Sequence, residues 1–280
     1  MKAIIYLLII SLLAISLTIP PQKNVKGFKT WTIQATDNNA TDQLLKQSAK
    51  IIGDRLMVYG LSSPDITVVS DQKQIKIAVP GDIQLEHLEG LLVSRGELAF
   101  YETLSIKGIS DVIKSDMNFS PSDARVGCST FEDPAMITKV EDYLKSNNFP
   151  SNYRLFWGLK NDKSLTCLFA LKTNDAGKPL LLRSDVETIN SSQDKTSETY
   201  KISMKFSKPS ISLWADATRK NLNRPIAVVV GNKVFYAPVV KTPIESGLCE
   251  ITGTFTKDDV SYFMALVNNP PLPLSFELVR

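Results

Sequence analysis

The sequence predicts an α+β protein built from a ferredoxin-like βαββαβ base and an inserted α+β head lobe. Three observations carry that expectation. Residues 28–102 present strand, helix, strand, strand, helix and strand in that order, a similar series recurs after residue 200, and Pro270, Pro271 and Pro273 precede one last apolar strand. With 280 residues, 43% hydrophobic and 22% charged, the chain can bury a core as one large domain or two modest ones.

The elements follow from periodicity and punctuation. Trp31, Ile33 and Ala35 alternate with polar residues as a half-buried strand, and Thr41 caps a helix with the stripe Leu45, Ser48, Ile52, Leu56 that Tyr59-Gly60 ends. Residues 66–69 and 75–79 read as strands around Ser70-Asp71-Gln72. Pro80-Gly81 then breaks the chain before a helix with Leu85, Leu88 and Leu92 inward, and residues 96–101 supply the closing strand. In the second series residues 202–206 make a strand and 211–222 a helix. Residues 226–230 and 234–240 form a hairpin about Gly231-Asn232, and 248–252 a further strand. Thr256-Lys257-Asp258-Asp259 is a capping box opening a helix, and residues 274–278 return as a strand suited to a sheet edge. Between the two series lie a helix starting near Asp133-Pro134, a hairpin about residues 161–163 and a polar loop over 190–199.

Residues 3–19 carry no charge, follow Lys2 and precede Pro20-Pro21, so residues 1–20 are expected to be a signal peptide or an N-terminal membrane anchor. Cleavage after Ser16 satisfies the small-x-small rule, whereas the continuation through Leu17 and Ile19 fits an anchor. The remaining divisions are 27–103 for the base, 104–270 for the head and 271–280 for the returning strand.

Charge and composition exclude several functions. A net charge of +3 on 32 basic and 29 acidic residues, without a basic block, argues against a nucleic-acid groove. One His and three Cys leave little for a zinc site or a His-activated nucleophile, and no cofactor is expected. Cys128, Cys167 and Cys249 suggest no disulfide framework, and Cys167 and Cys249 sit in strand patterns that fit core positions. His87 lies among Glu86 and Glu89 on a helix face expected to be solvated. Asp258 and Asp259 are explained by capping and the helix dipole rather than by catalysis. Asn39, Asn118 and Asn190 fit the N-glycosylation pattern and mark exposed loops. Tyr153, Leu155 and Trp157 share one strand face, as a groove for extended polypeptide or as ordinary packing. Two narrow crossings, near 106–110 with Gly108 and near 268–272 with Pro270 and Pro271, are expected to let the head hinge on the base.

Two blocks resemble the first periplasmic domain of SecD, the membrane subunit that assists bacterial protein export. The first holds Arg55-Leu56, Gly60, Val79-Pro80-Gly81 and residues 96–100. The second holds residues 224–230, Lys233-Val234, Ala237-Pro238 and residues 251–256, including Thr252 and Gly253. From about residue 200 the resemblance is specific, whereas 104–198 carry no motif that can be placed. It departs at Val230, where the family usually has Asp, and at Asn269-Pro270, where it has Gly-Ala. The resemblance implies a bacterial, periplasmic, non-catalytic accessory that binds or assists exported or unfolded polypeptide, with the export machinery as partner. The inner membrane is a further partner if the N-terminal segment stays uncleaved. The chain ends at Arg280, where the family continues into membrane helices, so a stand-alone domain without that proton-coupled part is expected. The alternative is a periplasmic ligand-binding or envelope-structural module that kept the fold without an export role.

Overall fold

The computed structural model describes residues 28–80, 85–105, 107, 125–130, 142, 152–159, 165–174, 176–194 and 199–279. The N-terminal segment, Gly81, Gly108, Asn118 and the helix expected near Asp133 lie outside these residues.

A four-stranded antiparallel sheet forms one side of the molecule. Its order is β14-β1-β3-β2, with β1 at Phe28–Ala35, β2 at Asp65–Val69, β3 at Gln74–Pro80 and β14 at Phe276–Leu278. The C-terminal strand returns as expected, pairing Ile33 with Leu278 and Ala35 with Phe276. Helix α1, Asp42–Tyr59, begins where Thr41 Oγ1 accepts from the Leu44 N–H at 3.3 Å, and it ends at Gly60, whose φ of 112° suits only glycine well. Between β2 and β3 the Ser70–Gln72 turn is a single 3-10 turn. Helix α2, Leu85–Val93, lies beside α1.

The strand expected to close this unit does something else. β4 forms at Leu98–Thr103, but it pairs with β11, Ile226–Val230, through Phe100↔Val228 and Ala99↔Val229. The physical reason is burial on both faces: Leu98 and Phe100 point one way, Ala99 and Tyr101 the other, and all four are buried. Such a strand needs cover on two sides, while β14 takes the place beside β1 that β4 was expected to fill.

The sheet holding β4 closes on itself. β4 pairs with β11, β11 with β12 (Lys233–Tyr236), β12 with β6 (Tyr153–Gly158), β6 with β7 (Leu165–Lys172), and β7 again with β4. β5, Arg125–Thr130, and β8, Leu181–Leu182, add at its edges. Alternation sends Ala99, Tyr101, Leu171, Ala227, Val229 and Val234 to the inside of this small barrel, with Phe156 and Phe169 against them. The opposite set, Leu98, Phe100, Ile226, Val228 and Val230, joins the main core.

A third sheet, β13-β10-β9, packs nearby, with β9 at Val186–Gln193, β10 at Tyr200–Phe206 and β13 at Leu248–Thr252. β9 corrects the loop expected from residue 190: Asn190, Ser191, Ser192 and Gln193 are polar because they are exposed on a sheet face, and they remain paired with β10. Helix α3, Ile211–Lys220, buries Trp214, Ala215, Ala217 and Thr218. Helix α4, Lys257–Val267, opens with the expected capping box, Thr256 Oγ1 accepting from the Asp259 N–H while the Asp259 carboxylate accepts from the Thr256 N–H. It packs against α1 and α2 on one side and β9, β10 and β11 on the other. One continuous core therefore joins Ile33, Leu56 and Ile77 to Phe100, Ile202 and Phe263. Helix α4 lies between α1 and α2 on one side and strands β9, β10 and β11 on the other, close to the crossing at residues 268–272. Leu272, beyond Pro270 and Pro271, is buried and donates its N–H to Arg95 O at 3.0 Å.

Candidate functional site

His87 is 4% exposed, not on a solvated face. Helix α4 covers it, because Tyr262 stacks on its ring with centroids 4.8 Å apart. His87 Nε2 lies 3.4 Å from Asp259 Oδ1, and Nδ1 lies 3.4 Å from Tyr59 Oη. Burial raises the Asp259 carboxyl, but hydrogen bonds from His87 and Thr256 outweigh it and hold the group below the usual carboxylate range. Burial, with Asp258 and Asp259 nearby, pushes the Tyr59 hydroxyl up to about 12. The cluster resembles an acid–base set, yet its ring is enclosed by α1, α2 and α4, and Asp259 is already engaged in the helix cap. It ties three helices together. Asp258 stays exposed in the first turn, where its charge suits the helix dipole.

The strand face proposed for polypeptide is half-buried rather than open. Leu155 lies opposite Ala170 and Trp157 opposite Leu168 in the β6–β7 ladder, and Ala170 and Leu168 are fully or nearly fully buried. Tyr153, Leu155 and Trp157 share that face. A cleft of ≈ 420 Å³ opens near the end of the barrel, lined by Arg125, Gly158, Cys167, Phe169, Asn223 and residues 234–239 among others. The three aromatic and aliphatic residues singled out in the sequence do not line it.

Cys167 corrects the core reading. It is disulfide-bonded, and its Cα pairs across the ladder with that of Cys128. An odd cysteine count hid this, because the third cysteine, Cys249, is the free and buried one. Burial, and secondarily Glu250, pushes the Cys249 thiol up to about 12, which leaves it inert.

A second, more apolar cleft of ≈ 220 Å³ lies between α3, β11, β13 and residues 238–244. Phe100, Trp214, Ile226, Val228, Ile244 and Ile251 supply its walls. Trp214 is 3% exposed, and among the described residues its buried indole N–H has no hydrogen-bond partner. Sequence reasoning placed Cys249 at a core position but missed that it borders a cavity. No local signal marks a gap between two elements distant in sequence.

Residues 170–274 match the family model described as SecDF, P1 head subdomain, and this span holds α3, β11, β13 and the lining of the apolar cleft apart from Phe100. Over that span the chain is similar to the P1 head of SecDF, and over most of its length it is similar to SecD and SecDF proteins. It is similar to the protein translocase subunit SecDF of Thermus thermophilus, 21% identical over 257 residues that make 92% of this chain and 30% of the relative. It is also similar to the protein translocase subunit SecD of Desulfurispirillum indicum, 24% identical over 263 residues, 93% of this chain and 44% of the relative. A crystal structure of SecDF in a super-membrane-facing form carries the same fold, with TM-score 0.50 and 19% identity over 93% of this chain and 32% of that one. The chain thus spans less than half the length of these relatives.

The P1 head match begins at residue 170, ahead of the residue near 200 where the sequence motifs become recognisable. Within it, Pro238 accepts from the Ile226 N–H at 3.1 Å and, with Ala237, borders the barrel-end cleft. Gly253, after Thr252 at the end of β13, leaves room for two rings: a Cβ there would stand 3.1 Å from Phe255 and 3.2 Å from Tyr236. Outside the match, Arg55 explains the first motif block. It is wholly buried on α1 and donates to Leu91 O at 3.3 Å, Ser94 O at 2.6 Å and Arg95 O at 2.7 Å, closing the end of α2. Burial pulls its guanidinium down to about 10. Gly96 completes the clamp, since a Cβ there would meet Arg55 Nη2 at 2.4 Å.

Proposed function

We propose that this SecD/SecDF-type chain is a non-catalytic accessory that binds extended, unfolded polypeptide at the outer face of a bacterial inner membrane. The observation that carries the reading is the P1 head match over residues 170–274, a span that also supplies the lining, apart from Phe100, of an apolar cleft beside a sheet edge that is open among the described residues. Relatives named as protein translocase subunits supply the export context. The disulfide at Cys167 suits an oxidising compartment such as the periplasm. We read the β14-β1-β3-β2 sheet with α1 and α2 as a ferredoxin-like base, and residues 98–267 as the head.

A catalytic reading finds no open site in the groups the sequence offered. His87 is enclosed, Asp259 caps a helix, and the Cys249 thiol stays protonated. The walls of the second cleft are mainly apolar, with Lys241 and Glu250 among the residues lining it, which suits an apolar side chain better than a small polar ligand. Photo-crosslinking in cells from position 239, at the cleft rim, should recover secreted chains or export components. Recovery of neither, from a chain that accumulates normally, contradicts the proposal.

A further inference from the structure

Among the described residues β13 pairs only with β10 and is an edge strand, and its Cys249, Glu250 and Ile251 line the apolar cleft. Its orientation follows from one bond: the Phe206 N–H donates to Gly247 O at 2.8 Å. Antiparallel pairs alternate between bonded and non-bonded, so Met204↔Cys249 and Ile202↔Ile251 are the bonded pairs with β10. Leu248, Glu250 and Thr252 then turn their backbone groups outward. Ser246 Oγ satisfies the Leu248 N–H at 3.2 Å, but among the described residues the Glu250 N–H and carbonyl meet no partner.

Two further features converge on this edge. Cys249 and Ile251 line the cleft from β13, and Leu248 is 60% exposed on the opposite face. At the rim Lys241 and Glu250 oppose each other in sign, which favours neither an anionic nor a cationic guest.

We propose that β13 and the cleft form a seat for one extended polypeptide segment, which adds to β13 as a further strand and places an uncharged apolar side chain in the cleft. The segment's residue opposite Glu250 exchanges two backbone hydrogen bonds with it. Backbone pairing gives sequence tolerance, and the ≈ 220 Å³ cleft gives a preference for a bulky apolar residue. The seat rests on the reading of the domain as a polypeptide binder.

The test uses the full chain with two probes: carboxymethylated α-lactalbumin, which cannot refold, and a short Thr- and Val-rich peptide with a central Leu. Glu250→Pro removes an outward N–H and spares the bonds to β10, while Val240→Trp fills the cleft. An N-methylated copy of the peptide tests the unaltered protein, so the result does not depend on any variant folding. We expect each change to weaken binding at least about tenfold, a difference titration resolves easily. Binding that survives all three overturns the seat and leaves the polypeptide reading standing. Loss with Val240→Trp alone means side-chain capture without strand addition, and the proposal fails. No binding of either probe overturns the polypeptide reading and the seat with it.

Discussion

Arg55 shows how one buried charge can organise a helix junction. Its three bonds satisfy carbonyls that the end of α2 would leave bare, and they require a residue without a side chain at Gly96, where φ is +79°. Gly96→Ala combines left-handed strain with a clash on the guanidinium. We expect it to lower stability by about 1–3 kcal/mol, read by urea denaturation. Asp259 makes a pH-dependent contribution of a definite sign. Its carboxyl titrates below its ordinary range in the folded chain, so its stabilisation is present above the unfolded value near 4 and is lost as pH falls through the folded value. Asp259→Ala, which also removes the cap, is expected to cost about 1–2 kcal/mol at neutral pH and much less near pH 3, again by denaturant titration. For the cysteines, alkylation of the unreduced, denatured chain should modify Cys249 alone, and prior reduction should expose all three. Mass spectrometry distinguishes these results.

Among the elements, legibility tracked whether a segment's partner lay close in sequence. Helix α1, its Thr41 cap and its Gly60 stop, the Gly231 hairpin and the capping box of α4 are set by local chemistry, and the sequence showed each of them. β4 was legible as a strand but not as a member of the barrel, because its pairing with β11 joins residues more than a hundred positions apart. His87 went astray for the same reason: the face of α2 that carries it is polar, and nothing nearby announces that α4 will cover it. The return of β14 to β1 succeeded because the proline run and the short strand offered few other places to go. Phe276, buried where β14 meets β1, anchors that return, and Phe276→Ala should cost about 3–5 kcal/mol, measurable as a lowered thermal midpoint.

For the whole molecule, α4 decides the mechanics. It presses on α1 and α2 and on three strands of the head, so bending about residues 268–272 would open a continuous core. Spin labels at Gln72 and Lys205, on exposed sites of the two lobes, should give one narrow distance in the free chain. Two resolved populations would restore the hinge that the chain crossings alone suggest. The candidate seat was the least legible part of the protein in its sequence. Cys249 looked like ordinary core, and only the folded arrangement leaves β13, among the described residues, with an open edge beside a cleft. The most direct measurement is hydrogen exchange of the full chain with and without carboxymethylated α-lactalbumin. Polypeptide binding at the head predicts slowed exchange of the Glu250 amide and of residues 238–244, with β2 at the far edge of the base sheet unchanged; an exchange pattern unaltered across residues 226–252 would contradict it.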